Sequence, residues 1–248
     1  MAKTSGMGDN CYVGGYDLSG DIGELSKISG SIALLDVTPI NVSAFVRIGG
    51  LRDGSITYKA FFNPSLNQEH AALSALPTAD QHMMYCRGTT LGNPAACMVA
   101  KQLNYDPTRD NKGMLTIAIQ ADANGYGLEW GRLLTAGLRT DTAATNGTGV
   151  DGTASSAFGA QAYLQLTAFT GTDVTVKIQD SADNVSFADV TGLAFTAVTA
   201  AHATQRIATS NAATIRRYLR VVTTTSGGFT SATFAVMIVR NPLAGQAF

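Results

Sequence analysis

Three histidines are the residues of this chain best suited to acid–base or metal chemistry. His70 falls in a stretch with helical spacing, His82 at the start of a strand and His202 in a loop, so only the first two are expected to lie near each other. No H-E-x-x-H or comparable ligand spacing connects them. The pattern therefore predicts packing contacts or surface positions for these rings, and no metal site.

The cysteines do not form a recognisable metal or disulfide pattern. Cys11, Cys86 and Cys97 are odd in number and share no metal-ligand spacing. A small thiol without a partner behaves as a buried apolar side chain. We therefore expect three reduced thiols, as in a protein assembled in the cytoplasm.

Two kinds of loop motif resemble calcium- or phosphate-binding loops but lack residues that such loops require. Residues 122–125, Asp-Ala-Asn-Gly, begin like a calcium loop, but the twelfth position is Leu133 where that loop needs Glu. The glycine pairs near positions 6, 14 and 147 lack the strand-to-helix context and the Lys-Ser/Thr ending of a phosphate loop. All of these segments are predicted to be turns.

The only basic cluster surrounds Tyr218. Arg216, Tyr218 and Arg220 would share one face of a strand, which is compatible with a patch that contacts phosphate or carbohydrate, although a solvated strand face explains it equally. Trp130, the single tryptophan, is expected in the core or at a subunit interface. The sequence thus predicts no catalytic, cofactor-binding or metal-binding residue, and we expect no enzyme and no cofactor.

The charge balance disfavours tight binding to nucleic acid. The formal net charge is −1, with 11 basic and 12 acidic side chains in residues 1–140 and 6 of each after them. A groove that grips phosphates needs a clear excess of Lys and Arg. The N-terminus has no apolar signal region, and no run approaches the roughly 18 apolar residues of a spanning helix. We therefore expect a soluble protein without membrane contact.

Composition divides the chain into two β domains. Residues 1–20 are glycine-rich and predicted to form an arm, and residues 140–156 contain one branched aliphatic side chain, Val150, and are predicted to be a flexible linker. The first domain is then residues 21–139 and the second 157–243, followed by a tail at 244–248. Five of the six prolines precede the linker, whereas Thr, Ala, Val, Ser and Gly dominate after it.

The first domain is predicted to contain one helix among several strands. Asn63 as N-cap and Pro64 at the first position begin the helix, and Pro77 ends it. Its buried face recurs at helical spacing, at Leu66, His70, Leu73 and Leu76. Alternation predicts strands at 31–35, 44–48, 55–63, 82–86, 97–105, 114–121 and 128–133, although a helix stays possible at 97–105.

The second domain is predicted to be an antiparallel β-sandwich. Short strand candidates, separated by turn residues, lie at 160–169, 174–179, 187–190, 193–196, 205–208, 218–223 and 232–239. Val174, Val176 and Ile178 face one way and their polar neighbours the other, as in a half-buried strand.

The segment 48–62 is the most informative motif. It joins the sequence Arg52-Asp53-Gly54 to a strand in which Ile56, Tyr58, Ala60 and Phe62 alternate with more polar residues. Asp-Gly supplies the positive φ angles of a two-residue turn, so a hairpin with its turn at Asp53-Gly54 is predicted.

Several weak motifs in order make residues 20–138 resemble the tail tube proteins of long-tailed bacteriophages. The motifs are the SGDIGELS segment, the DVTP strand end, the GGLRDG hairpin, the helix at 71–76 and the Asn-Gly turn before LEWG. The resemblance implies a tail-tube-type β-barrel or sandwich with one flanking α-helix. The second sandwich goes beyond the minimal family pattern and is expected to decorate the tube exterior.

The resemblance also implies a function. Six copies of such a subunit form a ring, rings stack into a hollow tail tube, and the tube is the conduit for genome ejection. The implied partners are further copies of the chain, a tape-measure protein and passing DNA in the lumen, and tail terminator and tip proteins. The implied location is the virion tail. The alternative is a virion-attached protein that binds host-surface carbohydrate or decorates the capsid.

Overall fold

The computed structural model describes residues 5–243, and almost all of its regular structure is β. This confirms the predicted mainly-β fold class. The strands are β1 Asn10–Val13, β2 Tyr16–Asp17, β3 Ile22–Asp36, β4 Arg47–Phe61, β5 Gln81–Cys86, β6 Pro94–Gln102, β7 Asp106–Arg109, β8 Leu115–Ala123, β9 Glu129–Leu133, β10 Arg139–Asp141, β11 Val150–Asp151, β12 Ala160–Gly171, β13 Thr175–Ser181, β14 Ala188–Ala194, β15 Ala203–Ala208, β16 Tyr218–Thr224 and β17 Phe229–Arg240. The single helix of this part of the chain is α1, Glu69–Leu73.

One large antiparallel sheet runs through both predicted domains. Its order is β15-β12-β17-β9-β6-β5-β1-β2, and β8, β4, β3, β7 and β10 branch from it. The two halves meet where β17 pairs with β9, with Met237 opposite Leu133. A second sheet, β11-β16-β13-β14, packs on the β12–β17 region and encloses an apolar core that includes Leu164, Val176 and Phe234.

A shared apolar cluster spans the predicted boundary between the domains. Met84, Cys97 and Leu133 from the first half pack with Tyr163 and Met237 from the second, and all five side chains are at most 1% exposed. The strand pairing of β9 with β17 runs through this cluster. The two halves are therefore joined by both hydrogen bonds and apolar packing.

The segment predicted as a flexible linker is fixed by hydrogen bonds. Strand β10 pairs with β17, and β11 pairs with β16. Between them, the Gly147 N–H donates to the Val221 carbonyl at 2.8 Å, and the Thr145 N–H donates to Thr223 Oγ1 at 3.0 Å. The linker interpretation of residues 140–156 is wrong because backbone hydrogen bonds hold a segment that has little apolar surface.

The arm interpretation of residues 1–20 also requires correction for the part that the structure describes. Strand β1 pairs with β2 and β5 inside the subunit, and Cys11, Tyr12, Val13 and Leu18 are buried. The few apolar residues of this segment are enough to hold it in place because each of them packs between other strands of the same subunit. Residues 1–4, and the tail predicted at 244–248, lie outside the described residues.

The predicted hairpin exists, but its turn lies elsewhere. Asp53 and Gly54 are inside β4, opposite Ser31 and Gly30 of β3, and residues 37–46 form the turn. A Cβ atom on Gly54 would lie 2.6 Å from the Leu128 nitrogen and 2.8 Å from its Cβ. Glycine therefore stands at position 54 because the Leu128 segment packs closely on the strand.

The predicted helix is reduced to one turn and a half. It begins at Glu69 with Gln68 as N-cap, and the Ser65 N–H instead donates to the Asn63 side chain at 3.1 Å. Asn67 has a φ of 62°, which interrupts a right-handed helix. Of the predicted apolar face, Leu73 is buried whereas Leu66 is 84% exposed.

Two ambiguous stretches of the sequence are settled as strands. The segment around Cys97 is β6, and its side chains are buried on both faces, so the alternative of a helix there is wrong. The two short strands predicted at 187–190 and 193–196 form the single strand β14.

The division of the chain into two domains at residue 140 stays a prediction. The shared apolar cluster indicates that the first domain depends on the second for its stability. A chain that ends at Arg139 loses Tyr163 and Met237 and exposes the apolar side chains of Met84, Cys97 and Leu133. We expect this truncated chain to aggregate or to melt well below the full chain, as measured by size-exclusion chromatography and circular dichroism. A soluble, cooperatively melting monomer would show that residues 5–139 fold independently.

Candidate assembly surface

The hairpin of β3 and β4 extends away from the rest of the molecule. Near its base, residues 55–61 of β4 pair with β8 on the side opposite β3. Nearer the turn, between residues 47 and 54, the strand that pairs with β4 is β3 alone. Every residue from 31 to 53 is exposed except Thr38 and Gly50, which are half-buried. The outer half of the hairpin is thus a two-stranded ribbon without its own core.

This outer half concentrates the exposed apolar surface of the protein. Twenty large apolar side chains are exposed in the described chain, and ten of them lie between residues 32 and 51. They are Ile32, Leu34, Leu35, Val37, Ile40, Val42, Phe45, Val46, Ile48 and Leu51. An exposed apolar cluster of this size marks a surface that another molecule covers.

Both faces of the ribbon are apolar. Leu35 lies opposite Ile48 on one face, and Leu34 lies opposite Gly49 on the other. The side chain of Ile32 flanks Gly49, since a Cβ there would meet its Cγ2 at 3.4 Å. Strands with apolar side chains on both faces are typical of sheets that are covered on both sides.

The edges of the ribbon are open. Within residues 5–243, β4 is the one strand that pairs with the 15 residues of β3, and β4 gains a second strand partner only from Ser55 onward. Natural sheets usually protect such edges with charges or short strands. These edges are long and mostly uncharged, which favours pairing with another chain.

Hydrogen bonds order the turn at the tip. The Val37 N–H donates to the Val46 carbonyl at 2.9 Å, and Thr38 Oγ1 accepts the Val46 N–H at 2.8 Å. The Thr38 hydroxyl donates to the Asp36 carboxylate at 2.6 Å, which lowers the pKa of Asp36. The tip therefore presents Ile40 and Phe45 to solvent from a defined backbone.

The structure places the three histidines in separate packing contacts. His70 Nδ1 lies 2.6 Å from the Tyr105 hydroxyl, and His82 Nδ1 lies 2.9 Å from Thr204 Oγ1. The His202 ring stacks on Tyr16 with ring centroids 4.0 Å apart. Residues 5–243 contain no group of three or more His, Cys, Asp or Glu that could hold a metal ion.

The arginines of the basic cluster are held by neighbours within the subunit, two of them by carboxylates and Arg220 by a neutral amide. Arg216 Nε donates to Asp180 at 2.7 Å, and Arg220 donates to Gln179 while it stacks over Phe187. The adjacent Arg217 pairs with Asp151, and the hydrogen bonds from Arg217 lower the pKa of Asp151 to about 2. The cluster therefore stabilises the second half and does not form an open anion-binding patch.

The remaining sequence motifs are structural. Asp122 and Ala123 end β8, residues 124–128 connect it to β9, and Gly125 adopts a φ of 76° there, as the predicted turn requires. The three thiols are buried and free, and burial raises the pKa of Cys11 to about 12, which disfavours the reactive thiolate. Trp130 lies outside the core, half exposed and edge-on to Tyr85.

A buried polar network between the halves is the feature that the sequence did not reveal. The Glu129 carboxylate accepts hydrogen bonds from Gln161 at 2.9 Å, from Arg206 at 3.0 and 3.1 Å, and from the Tyr163 hydroxyl. Tyr126 covers Arg206, whose guanidinium carbon lies 3.7 Å from the ring centroid. The members are far apart in sequence, so no local pattern indicates the network.

No protein-family model and no curated protein sequence matches the chain. Among solved structures, a chain from the tail of an empty GTA particle with C6 symmetry is 16% identical over 50% of this chain and 97% of that chain, with a TM-score of 0.39. The SPP1 Dit protein, described as a hub adsorption apparatus, is 11% identical over 94% and 99%, with a TM-score of 0.35. A chain of the phage p2 baseplate is 9% identical over 95% and 99%, with a TM-score of 0.34.

These similar structures are tail and baseplate proteins of phages or phage-like particles. All three TM-scores are below 0.5. No helix among residues 5–243 is long and apolar enough to cross a membrane.

Glu69 makes the stability of the subunit depend on pH. Its side chain is fully buried, and neither carboxylate oxygen has a hydrogen-bond partner among the described residues. Burial, and then the charge of Asp21, raise its pKa to about 7 from an ordinary 4.5. The folded state therefore holds this proton more tightly than the unfolded state, and the free energy of unfolding falls as pH rises from about 4.5 to 7.

Glu69→Gln is expected to remove this part of the pH dependence. The variant should be more stable than the wild type at pH 8, where Glu69 is charged and buried, and close to it at pH 4. Thermal melts between pH 4 and 8 measure the difference. Glu24→Gln is the control: the hydrogen bond from Ser26 and the charge of Lys59 lower the pKa of Glu24, so this carboxylate titrates below the range of Glu69 and its removal should leave the slope between pH 5 and 7 unchanged. Equal slopes in wild type and Glu69→Gln would contradict the assignment.

Proposed function

We propose that this chain is the structural subunit of a long-tailed phage tail tube, in which hexameric rings stack into the conduit for genome ejection. The observation that carries the proposal is the β3–β4 hairpin, which is apolar on both faces and open on both edges over its outer half. A ribbon of this kind is stable in water only when other molecules cover it. The order of the motifs in residues 20–138, which resembles that of tail tube proteins, favours a tail tube as the assembly.

Further copies of the chain can both pair with the open edges of the hairpin and cover its apolar surface. The open edge of β3 in one subunit pairs with the open edge of β4 in the next, and repetition around a ring closes the sheet. Closure leaves no free edge, which is how β-barrels avoid uncontrolled pairing. The face of the ribbon that points away from the lumen is covered by the adjacent ring and by the subunit bodies, and the other face lines the lumen.

The charges of the hairpin suit a surface past which DNA slides. Residues 32–53 contain two acidic side chains, Asp36 and Asp53, and two basic ones, Arg47 and Arg52. A lumen wall with balanced charge makes few lasting phosphate contacts, whereas a basic wall would retain the genome. The tape-measure protein, the tail terminator and the tip proteins are the proposed partners, and the proposed site is the virion tail after assembly in the host cytoplasm.

The second sandwich, residues 157–243, is proposed to decorate the exterior of the tube. Its basic residues at positions 216, 217 and 220 are bound within the subunit, which removes the main feature that favoured a carbohydrate-binding role. We therefore favour a non-enzymatic structural role over the alternatives of host-surface binding or capsid decoration.

Negative-stain electron microscopy of the purified full chain tests the proposal. Hollow tubes with six-fold symmetric end views are the expected result, with analytical ultracentrifugation to detect free rings. Monomers or isolated small oligomers at every protein concentration and salt concentration tried would overturn the tube function and favour a decoration role.

A further inference from the structure

The dipeptide Asn-Gly occurs twice in the chain, at Asn124-Gly125 and at Asn146-Gly147. Both asparagines are exposed. A glycine after asparagine favours loss of the side-chain amide, because glycine has no Cβ to obstruct the approach of its backbone nitrogen to the side-chain carbonyl carbon. Sequence and exposure are alike at the two sites, so a difference in their reactivity has to come from the backbone.

Hydrogen bonds hold the backbone of Asn146-Gly147 against strand β16. The Gly147 N–H donates to the Val221 carbonyl at 2.8 Å, and Asn146 forms a β-bridge with Val222. A Cβ on Gly147 would lie 2.6 Å from the Val221 oxygen, which shows how closely the segment packs. The Gly147 nitrogen can therefore attack the Asn146 side chain only after the segment has opened from β16.

The glycine of Asn124-Gly125 has no such restraint. Gly125 adopts a φ of 76°, a Cβ there would meet no atom within 4 Å, and its N–H has no hydrogen-bond acceptor among residues 5–243. The Asn124 N–H donates to the Val99 carbonyl at 2.9 Å, and Asn124 Nδ2 donates to Asp80 Oδ1 at 2.9 Å. The side-chain hydrogen bond is exposed, so it exchanges with water at a small net cost.

We propose that Asn124 is a site of spontaneous deamidation in the folded protein and that Asn146 is protected from this reaction. The Gly125 nitrogen loses its proton to hydroxide and attacks the Asn124 side-chain carbonyl carbon. The new C–N bond closes a five-membered succinimide, and Nδ2 takes a proton from water and leaves as ammonia. A water molecule then opens the ring at either of its two carbonyl groups, which gives aspartate or isoaspartate.

The product carries a negative charge where the folded chain has a hydrogen-bond donor. Asp80 accepts from Asn124 and pairs with Lys101, whose Nζ lies 2.7 Å from Asp80 Oδ1. Asp122 lies opposite Lys101 in the pairing of β8 with β6. After deamidation, one lysine would face three carboxylates instead of two, and the new carboxylate would repel Asp80. The reaction is therefore expected to destabilise the loop between β8 and β9.

Mass spectrometry of tryptic peptides measures the two sites separately. Trypsin releases residues 113–132 and residues 140–177, and each peptide contains a single asparagine. Unassembled full-length subunits, separated by size-exclusion chromatography, are incubated at pH 8 and 37 °C with and without guanidinium chloride. A sample taken at time zero corrects for conversion during digestion, and chromatography separates the aspartate and isoaspartate peptides.

In the folded protein, Asn124 is expected to convert at least about tenfold faster than Asn146, because only Asn146 requires local opening. In the denatured chain the two sites should convert at similar rates. Asn124→Gln is the variant that blocks the reaction, since the longer side chain would have to close a six-membered ring. Its peptide 113–132 should stay unmodified at position 124.

Asn124→Asp reproduces one product and is expected to lower the melting temperature, by an amount that shrinks at high salt. Asn111→Asp adds the same charge at an exposed turn between β7 and β8 and is the matched control, which should change the melting temperature little. Equal melting temperatures of these two variants would contradict the expected destabilisation of the loop.

Three outcomes would overturn the assignment of Asn124. They are similar conversion of both asparagines in the folded protein, faster conversion of Asn146, or a product at position 124 without isoaspartate, which would exclude the succinimide. The rates are measured on unassembled subunits and do not depend on tube formation. A negative result here therefore leaves the proposed function intact, and the reverse also holds.

Discussion

Leu35→Asp is expected to abolish tube formation while the subunit stays folded. Leu35 is exposed in the isolated subunit and lies opposite Ile48 on one face of the β3–β4 ribbon. An exposed substitution changes the free energy of unfolding by about 0.5 kcal/mol or less. In the proposed ring the same position would be covered, so the variant would lose about 2 kcal/mol of apolar burial and would also bury a charge.

The loss applies to every contact around a ring. Even about 3 kcal/mol per contact lowers each association constant more than a hundredfold. Electron microscopy should show no tubes, and a thermal melt should lie within a few degrees of the wild type. Leu66→Asp is the matched control, because Leu66 is 84% exposed and lies outside the hairpin. Normal tubes from Leu35→Asp would rule out this face as an interface.

Leu34→Asp tests the opposite face of the ribbon. Leu34 pairs with Gly49 and is 68% exposed. If both faces are covered in the tube, Leu34→Asp and Leu35→Asp should block assembly to a similar extent. If only Leu35→Asp blocks assembly, only the face that carries Leu35 is buried, as expected for a closed sheet whose other face lines the lumen.

Alternation of side chains predicted most strands, because strand periodicity is a local property of sequence. The strands around Val176 and Tyr58 show it clearly, with apolar side chains on the buried face and polar ones outside. The turn at Asp53-Gly54 was wrong for a reason that local sequence cannot show. Gly54 serves a close contact with Leu128, which is more than 70 positions away in the chain.

The same limit explains the errors at residues 5–20 and 140–156. Both segments are poor in apolar residues, and composition alone indicates flexible chain. In the structure their order comes from backbone partners on distant strands, such as β5 for β1 and β17 for β10. Hydrogen bonds of this type have no compositional signature. They become visible only when the sheet order is known.

The hairpin and the buried network also differed in how far the sequence alone could predict them. The apolar character of residues 32–51 can be read directly from the sequence, although the prediction gave only strands at 31–35 and 44–48 and did not indicate that they are exposed. Glu129, Tyr163 and Arg206 look like isolated polar residues in three separate strands. The fold brings them together, and their joint contribution is the basis of the second large expected effect.

Glu129→Ala is expected to destabilise the protein by about 3–5 kcal/mol. The substitution leaves Arg206, with a side chain only 6% exposed, as a buried charge without its carboxylate. The Tyr163 hydroxyl and the Gln161 amide lose their acceptor at the same time. Chemical denaturation followed by circular dichroism measures the loss. Glu24→Ala, at an exposed carboxylate, is the control and should change little.

The double variant Glu129→Ala, Arg206→Leu separates the network from a simple loss of packing. Breaking a buried ion pair is costly chiefly because it leaves one charge buried without a partner. Removing the second charge should therefore recover part of the stability lost in Glu129→Ala. The cation–π contact of Arg206 with Tyr126 is lost as well, so recovery should be incomplete. A double variant whose loss of stability equals the sum of the two single losses would contradict the network. It would mean that Glu129 and Arg206 stabilise the two halves through independent contacts.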